Sequence, residues 1–184
     1  MRQIARVYSL AAGIAMILTS PALAQTIAVG PYYATPSWDQ TVSCMAPATC
    51  ARFVVLSNMN NDAVLDRETG LVWEKNVSNA DIVAAQVGTT CAQRTTGDRK
   101  GWRPPTLPEL HSLVQPSRSN PALPDGHPFT NIQLGFAAYW TTTPDQSTPG
   151  FVFGVTFADG GTSSLNASIG DARLWCVRGG GGVK

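Results

Sequence analysis

The sequence predicts an α+β domain with a twisted, mostly antiparallel sheet, two helices and long loops. Three observations support this class. Residues 151–157 alternate aromatic and β-branched side chains, as a strand with one buried face does. Apolar residues between Asn79 and Arg94 recur at helical spacing. Thr106 and Glu109 form the Thr-x-x-Glu capping-box pattern, which marks the start of a second, shorter helix.

The beginning of the chain has the pattern of an export signal. A basic start precedes an apolar run from Val7 to Leu18, and small residues suited to cleavage end at Ala24. We therefore expect residues 1–24 to be removed before Gln25 and the protein to be exported. No later apolar run approaches the ~20 residues that a transmembrane helix requires, so we expect no membrane span.

Composition and cysteine content fit an exported domain. The 13 basic residues are balanced by 12 acidic ones, so nothing attracts nucleic acid. Charged residues make up only 14%, and Gly and Pro are abundant, which is typical of loop-rich domains that depend partly on cross-links. All four cysteines follow the signal, and their even number predicts two disulfides whose pairing stays open. They are Cys44, Cys50, Cys91 and Cys176. Proximity favours Cys44 with Cys50.

The rest of the chain divides into a lead-in, one domain and a tail. Residues 25–52 are expected to be irregular, with a small cysteine loop. The domain should span 53–179, and 180–184 should form a flexible glycine-rich tail. Short runs of β-forming residues bounded by turn residues predict the strands. These runs are 53–56, 63–65, 71–73, 139–143, 151–157 and 172–177.

Both helices have recognisable ends. The first is expected from Asn79 to Arg94, with Asn79 or Ser78 as its cap. The second is capped by Thr106 and stopped by Pro116, which gives about eight helical residues with one buried stripe.

Three polar loops, at 116–135, 141–150 and 158–171, are expected to form a ligand-binding face, because long loops are more often functional than idle. The side chains able to hydrogen-bond a ligand there are Asp145, Gln146, Asp159, Asn166 and Asp171. The alternative, that these are ordinary solvated loop residues, carries equal weight.

The five tryptophans separate into two groups. An indole face can stack on the apolar face of a pyranose ring. Trp73, Trp102 and Trp175 have apolar neighbours and are expected in the core. Trp38 and Trp140 border polar segments and are the expected surface residues, so Trp140 joins the ligand-binding set.

One segment has the spacing of a calcium loop. Its oxygen-bearing residues are Asn58, Asn60, Asp62 and Asp66. However, Ala63 stands where such a loop has Gly, and Thr69 stands where it has a bidentate Glu. A β-turn stabilised by Asn and Asp side chains is therefore favoured, and we expect no cofactor.

Catalytic motifs are absent from the sequence. Glu109 with His111, and Asp125 with His127, are carboxylate-x-His pairs that could suggest a metal or acid-base site. Glu109 and His111 lie on the predicted helix, where residues two apart point to different faces and cannot both reach one ion. There is no nucleophile elbow, phosphate-binding loop or zinc-protease helix. We therefore assign no catalytic residue.

Three sequence blocks, Asp66–Lys75, Gly101–Leu110 and Leu174–Gly179, occur in a distinctive order and spacing. Together they resemble the Lcl C-terminal domain family, bacterial domains that are mostly of unknown function, over about 53–179. The resemblance implies a C-type-lectin-like fold related to sulfatase-modifying factors, and a disulfide between Cys91 and Cys176. Pro104 departs from the family pattern, which usually has Leu there.

These inferences lead to an expected function. We expect an exported, non-catalytic binding or adhesion module, in the periplasm or on the surface of a bacterium, that recognises a glycan or a protein surface through its C-terminal loops. The first alternative is an enzyme or accessory related to sulfatase-modifying factors, which would need free, paired thiols. The second is a structural subunit of an envelope assembly, which would present an apolar patch and self-associate.

Overall fold

The computed structural model describes residues 52–135 and 137–179. The expected export signal, the lead-in up to residue 51 with Cys44 and Cys50, Trp38 and the glycine-rich tail lie outside the described residues.

Strands dominate the described part of the chain, and two α-helices accompany them. The strands are β1 Phe53–Val55, β2 Ala63–Asp66, β3 Val72–Glu74, β4 Ser78–Ile82, β5 Ala138–Pro144, β6 Phe151–Thr156, β7 Thr162–Asn166, β8 Ala172–Leu174 and β9 Val177–Arg178. The helices are α1 Ala84–Gln93 and α2 Leu107–His111.

The strands form two sheets. A four-stranded sheet has the order β1-β2-β3-β9, and each neighbouring pair is antiparallel. A five-stranded sheet has the order β4-β8-β5-β6-β7, in which only β5 and β8 are parallel, at Tyr139 and Arg173. The predicted α+β class with mostly antiparallel pairing and two helices is confirmed.

The predicted start of the first helix is wrong. Ser78–Ile82 form β4, where Ser78 pairs with Leu174 and Ile82 with Ala172 around a bulge. Pairing with β8 outcompetes the local helical spacing, because strand formation depends on packing against neighbours. The helix begins at Ala84, and its N-cap Val83 makes no side-chain cap, so the predicted caps are wrong as well.

Two further boundaries differ from prediction. The segment 158–171, expected to be a loop, contains β7, which pairs with β6 from Phe151 to Val155. The single strand expected at 172–177 is two strands in different sheets, separated by Trp175 and Cys176. These differences arise because both segments contain few residues with strong local preferences, so sheet pairing decides their conformation.

The core is rich in aromatic side chains. Trp175 lies at its centre and contacts Trp73, Phe129 and Phe157 edge-on, with ring centroids 4.8–5.5 Å apart. Edge-to-face packing is the geometry that aromatic rings prefer. The expected burial of Trp73, Trp102 and Trp175 is confirmed.

The second helix is joined to the C-terminal strand through one ion pair. Thr106 and Glu109 form the predicted capping box, with the Thr106 amide donating to Glu109 Oε2 at 2.9 Å. Arg103 donates to both carboxylate oxygens of Glu109, at 2.8 and 2.6 Å, and to the carbonyl of Gly179 at 2.7 Å. The backbone amides and carbonyls of Arg103 and Val177 also bond each other, at 2.9 and 2.8 Å. One arginine therefore fixes the helix start and the end of the domain together.

A disulfide provides a second connection to the C-terminal segment. Cys91 in α1 is bonded to Cys176, which confirms the pairing implied by the family resemblance. The two residues are 85 positions apart, and closing so long a loop is worth roughly 4 to 5 kcal/mol in the chain-entropy account.

The Arg103–Glu109 pair predicts that Glu109→Gln lowers the free energy of unfolding more than Glu68→Gln does. Burial alone would raise the pKa of Glu109, but hydrogen bonds from Arg103 and Thr106 outweigh burial and lower that pKa. The pair therefore stabilises the fold above the ordinary pKa of a glutamate, and this stabilisation is lost as the pH falls through the lowered value. We expect Glu109→Gln to reduce the free energy of unfolding in urea at neutral pH by about 2 kcal/mol, since the pair is only partly exposed.

Glu68→Gln is the matched control for this substitution. Glu68 also pairs with an arginine, Arg52, at 2.9 Å, but its side chain is 44% exposed. We expect a loss below about 0.5 kcal/mol, as for other exposed pairs. Equal losses in the free energy of unfolding for the two variants would contradict the proposed role of Glu109. The same is true if the loss caused by Glu109→Gln stays unchanged at a pH below the lowered pKa of Glu109.

Candidate functional site

A groove of about 330 Å³ lies at the turn between β6 and β7, in the C-terminal part of the domain. We call it the Asp159 groove. It is lined by Gly135, Thr156, Ala158, Asp159, Gly161, Thr162 and Ser163. One predicted site residue, Asp159, thus lies in a concave surface surrounded by hydroxyl groups.

The turn that carries Asp159 is held rigidly by its backbone. The Thr156 amide donates to the Gly161 carbonyl at 2.9 Å, and the Gly160 amide donates to the Thr156 carbonyl at 3.1 Å. Gly160 has φ of +81°, and a Cβ there would lie 2.5 Å from Val114 Cγ1, so only glycine fits. Phe157, at the start of the turn, is fully buried in the core.

The carboxylate of Asp159 has one occupied oxygen and one free oxygen. Thr156 Oγ1 donates to Oδ1 at 2.5 Å, and the Gly161 amide donates to the same atom at 2.9 Å. These two hydrogen bonds, Thr156 first, lower the pKa of Asp159, so the group is ionised at neutral pH. Oδ2 receives no hydrogen bond from the described residues and can accept donors from a ligand.

Hydroxyl groups of the edge strand complete the groove. Thr162 and Ser163 begin β7, which lies at the edge of the five-stranded sheet, and both are exposed. Each hydroxyl can donate one hydrogen bond and accept others. The groove therefore combines an ionised carboxylate oxygen with hydroxyls that both donate and accept, next to the small side chain of Ala158.

The sequence prediction does not identify these hydroxyl residues. It places Thr162 and Ser163 in a loop at 158–171, whereas the structure places them in strand β7. The available signal was the Asp159-Gly160-Gly161 turn followed by Thr and Ser, which places hydroxyls directly beside the turn carboxylate once a hairpin is assumed.

Asp145 does not present its oxygens to a ligand, contrary to the sequence prediction. Its side chain is buried between a turn and β7. The Ser147 hydroxyl and amide donate to Oδ1 at 2.6 and 2.9 Å, and the Ser164 hydroxyl donates to Oδ2 at 2.6 Å. The bonds from Ser147 and Ser164 lower the pKa of Asp145 to about 2. Asp145 therefore fastens its turn to the strand that carries Thr162 and Ser163.

The prediction of Trp140 as a surface residue is wrong. Its side chain is 0% exposed, and its indole nitrogen donates to the Ile82 carbonyl at 2.6 Å. β5 lies in the middle of the five-stranded sheet, and Trp140 shares a core cluster with Val87 of α1. The ring is therefore unavailable to a sugar.

The remaining predicted residues do not converge on the groove. Gln146 and Asp171 are exposed on separate segments. Asn166, at the end of β7, accepts a hydrogen bond from the Ser168 amide at 2.9 Å and so forms a local turn. Of the six residues predicted to bind a ligand, only Asp159 lines the Asp159 groove.

The calcium-loop residues are also dispersed. Asp66 lies at the far end of β2 from Asn58 and Asn60, and its buried carboxylate accepts two hydrogen bonds from Arg52 at 2.9 Å. The Asn60 amide donates to Asp98 at 2.8 Å. Within residues 52–135 and 137–179, no group of three or more His, Cys, Asp or Glu side chains is placed to hold a metal ion.

The fold and the groove define a disulfide-bonded α+β domain that displays a hydroxyl-rich surface beside an ionised carboxylate. The family model of the Lcl C-terminal domain matches residues 62–178, and the chain belongs to this family. A search of curated proteins finds no match to the chain. Among the described helices, none has the length and apolar character required to cross a membrane.

The Asp145 network predicts a titration that can be measured directly. Ser164→Ala removes the donor to Oδ2, so the pKa of Asp145 should rise from about 2 toward the ordinary value of an aspartate. Carboxyl-carbon NMR over an acid titration measures the change. Ser163→Ala, on the neighbouring position of β7, is the control and should leave the pKa in place. An unchanged Asp145 titration in Ser164→Ala would refute the network.

Proposed function

We propose that this protein is an exported, non-catalytic binding module that recognises a glycan through the Asp159 groove. The observation that carries the proposal is the free Oδ2 of an ionised Asp159, held on a rigid turn in a groove that Thr156, Thr162 and Ser163 also line.

Sugar hydroxyls match this arrangement. A carboxylate oxygen can accept two donors, and adjacent hydroxyls of a sugar ring supply two donors at close spacing. Thr162 and Ser163 also line the groove, and because consecutive strand residues point to opposite faces, one of their hydroxyls can donate to or accept from the next ring position. Hydrogen bonds to an ionised acceptor are stronger than neutral ones, so Asp159 would contribute most to affinity. A protein surface with exposed hydroxyl or amide donors is the other ligand class that this chemistry accommodates.

The proposed location and fold of the domain are based on the start of the sequence and on the family resemblance. The basic and apolar start of the chain indicates export to the periplasm or the cell surface. We further propose that the domain has the C-type-lectin-like fold implied by the family resemblance. No cofactor is required by the proposed contacts.

Two observations favour binding over the alternatives. The enzyme alternative requires free, paired thiols, whereas Cys91 and Cys176 are joined. The structural-subunit alternative requires a large apolar patch, whereas only three large apolar side chains are exposed among the described residues, Val54, Leu134 and Ile169.

The proposal predicts glycan binding that depends on Asp159. The purified protein should bind a defined subset of neutral glycans on an array, with and without a calcium chelator. Asp159→Asn removes the charge of the acceptor at nearly constant volume and should weaken binding about tenfold. Titration calorimetry with a glycan selected on the array measures this change.

Asp171→Asn is the matched control, because Asp171 is an exposed aspartate outside the Asp159 groove. It should bind like the unmodified protein. The proposal fails if the folded protein binds no glycan on the array, or if Asp159→Asn and Asp171→Asn bind equally well. Alkylation of Cys91 or Cys176 without prior reduction would instead support the enzyme alternative.

A further inference from the structure

A second groove, of about 310 Å³, lies between β4 and α1. We call it the Arg94 groove. It is lined by Ser78, Ala80, Asp81, Ile82, Gln86, Thr90, Arg94 and Leu174. Since β4 and β7 are the two edge strands of the five-stranded sheet, the Arg94 groove and the Asp159 groove lie at opposite edges.

The wall formed by the helix is polar. Gln86 and Thr90 are four residues apart in α1, and Arg94 follows at the same interval at the helix end, so the three side chains lie along one face. An amide, a hydroxyl and a guanidinium therefore succeed one another along this side of the groove.

The opposite wall is largely apolar. Ile82 pairs with Ala172 and Ser78 with Leu174, so these side chains share the sheet face that packs against α1. Ala80 and Ile82 supply accessible apolar surface to the groove, whereas the side chain of Leu174 is buried in the core. A ligand that lies between the walls thus meets apolar carbon on one side and hydrogen-bonding groups on the other.

Arg94 is positioned by Glu74, and its terminal nitrogens remain available as hydrogen-bond donors. Its Nε lies 3.5 Å from Oε1 of Glu74, whose side chain is almost fully buried. Glu74 is itself fixed by the Thr96 hydroxyl at 2.7 Å and the Cys176 amide at 3.2 Å. The guanidinium of Arg94 makes no hydrogen bond to any described residue, and its side chain is 33% exposed. Its terminal nitrogens can therefore bind a second carboxylate.

The other charge in the Arg94 groove is already neutralised. Asp81 forms an ion pair with Arg173, and its side chain is more than half exposed at the rim. Burial raises the pKa of Glu74, against the weaker opposing effects of Thr96 and Arg94. Arg94 faces Glu74 through Nε, so an anionic ligand group would meet its terminal nitrogens.

We propose that the Arg94 groove binds an acidic sugar of the hexuronic acid class. The sugar carboxylate would pair with the terminal nitrogens of Arg94 in the bidentate geometry that guanidinium groups favour. The ring hydroxyls would bond Gln86 and Thr90, and the apolar ring face would lie on Ala80 and Ile82. This site goes beyond the proposed function, because it concerns a different groove and a charged ligand.

Titration of the purified protein with sodium glucuronate, followed by amide NMR, tests the proposal. The amides of Gln86, Thr90 and Arg94 should shift in a saturable manner. Glucose, which lacks the carboxylate, should bind about tenfold more weakly, and acetate, which lacks the ring, should also bind more weakly. Equal binding of glucose and glucuronate, or shifts confined to other parts of the domain, would overturn the proposal. Saturation by acetate at the glucuronate concentration would show a simple anion site and would also overturn it.

Two substitutions locate the site. Arg94→Gln should weaken glucuronate binding about tenfold. Because Arg94→Gln leaves the buried Glu74 without its partner and can impair folding, Thr90→Asp is the second variant. It places a carboxylate four residues before Arg94, an arrangement that helices tolerate well, and it should abolish glucuronate binding with an unchanged circular dichroism spectrum.

Gln146→Ala is the control, because Gln146 is exposed and lines neither groove, and it should bind glucuronate like the unmodified protein. Full binding by Thr90→Asp would overturn the proposal, as would a loss in Gln146→Ala equal to that in Arg94→Gln. Failure of this proposal is distinguishable from failure of the proposed function, since neutral glycan binding depends on Asp159 and glucuronate binding on Arg94.

Discussion

The ion pair between Arg103 and Glu109 connects the start of α2 to the C-terminal end of the domain. Glu109 uses its carboxylate twice, to cap α2 through the Thr106 amide and to bind Arg103 with both oxygens. Arg103 in turn reaches the Gly179 carbonyl, while its backbone pairs with Val177. A charged group as buried as Glu109 is retained only when its hydrogen bonds are satisfied, and here each oxygen has a charged donor. This arrangement explains why an arginine and a glutamate occur together in the Trp102 block.

Fixing the last strand has consequences throughout the fold. β9 joins the four-stranded sheet while β8, just before it, belongs to the five-stranded sheet, so the short segment at Trp175 and Cys176 connects the two. Trp175 fills the space between them, and the Cys176 disulfide ties the same point to α1. Because these central contacts stabilise the fold, the turns and edge strands at the periphery can carry polar side chains. Both proposed grooves lie on those edges.

Local signals in the sequence predicted the parts of this arrangement that depend on neighbouring residues. The capping box at Thr106 is such a case, because its bonds span only three positions. Trp140 and β4 were mispredicted because their environments depend on distant partners. Trp140 is enclosed by α1 and the β4 backbone, and Ser78 is extended because Leu174 lies beside it. For the candidate site, Asp159 was predicted from its turn, but its hydroxyl neighbours became evident only once β7 was paired with β6.

We expect the junction of Arg103 with Val177 and Glu109 to open only when the whole domain unfolds. Native-state hydrogen exchange measures this opening, because the amides of Arg103 and Val177 donate to each other's carbonyls. Both amides should exchange with the free energy of global unfolding, at least as slowly as the most protected amides of β5 and β6. Exchange of Arg103 and Val177 through a low-energy local opening, while β5 and β6 stay protected, would contradict this expectation.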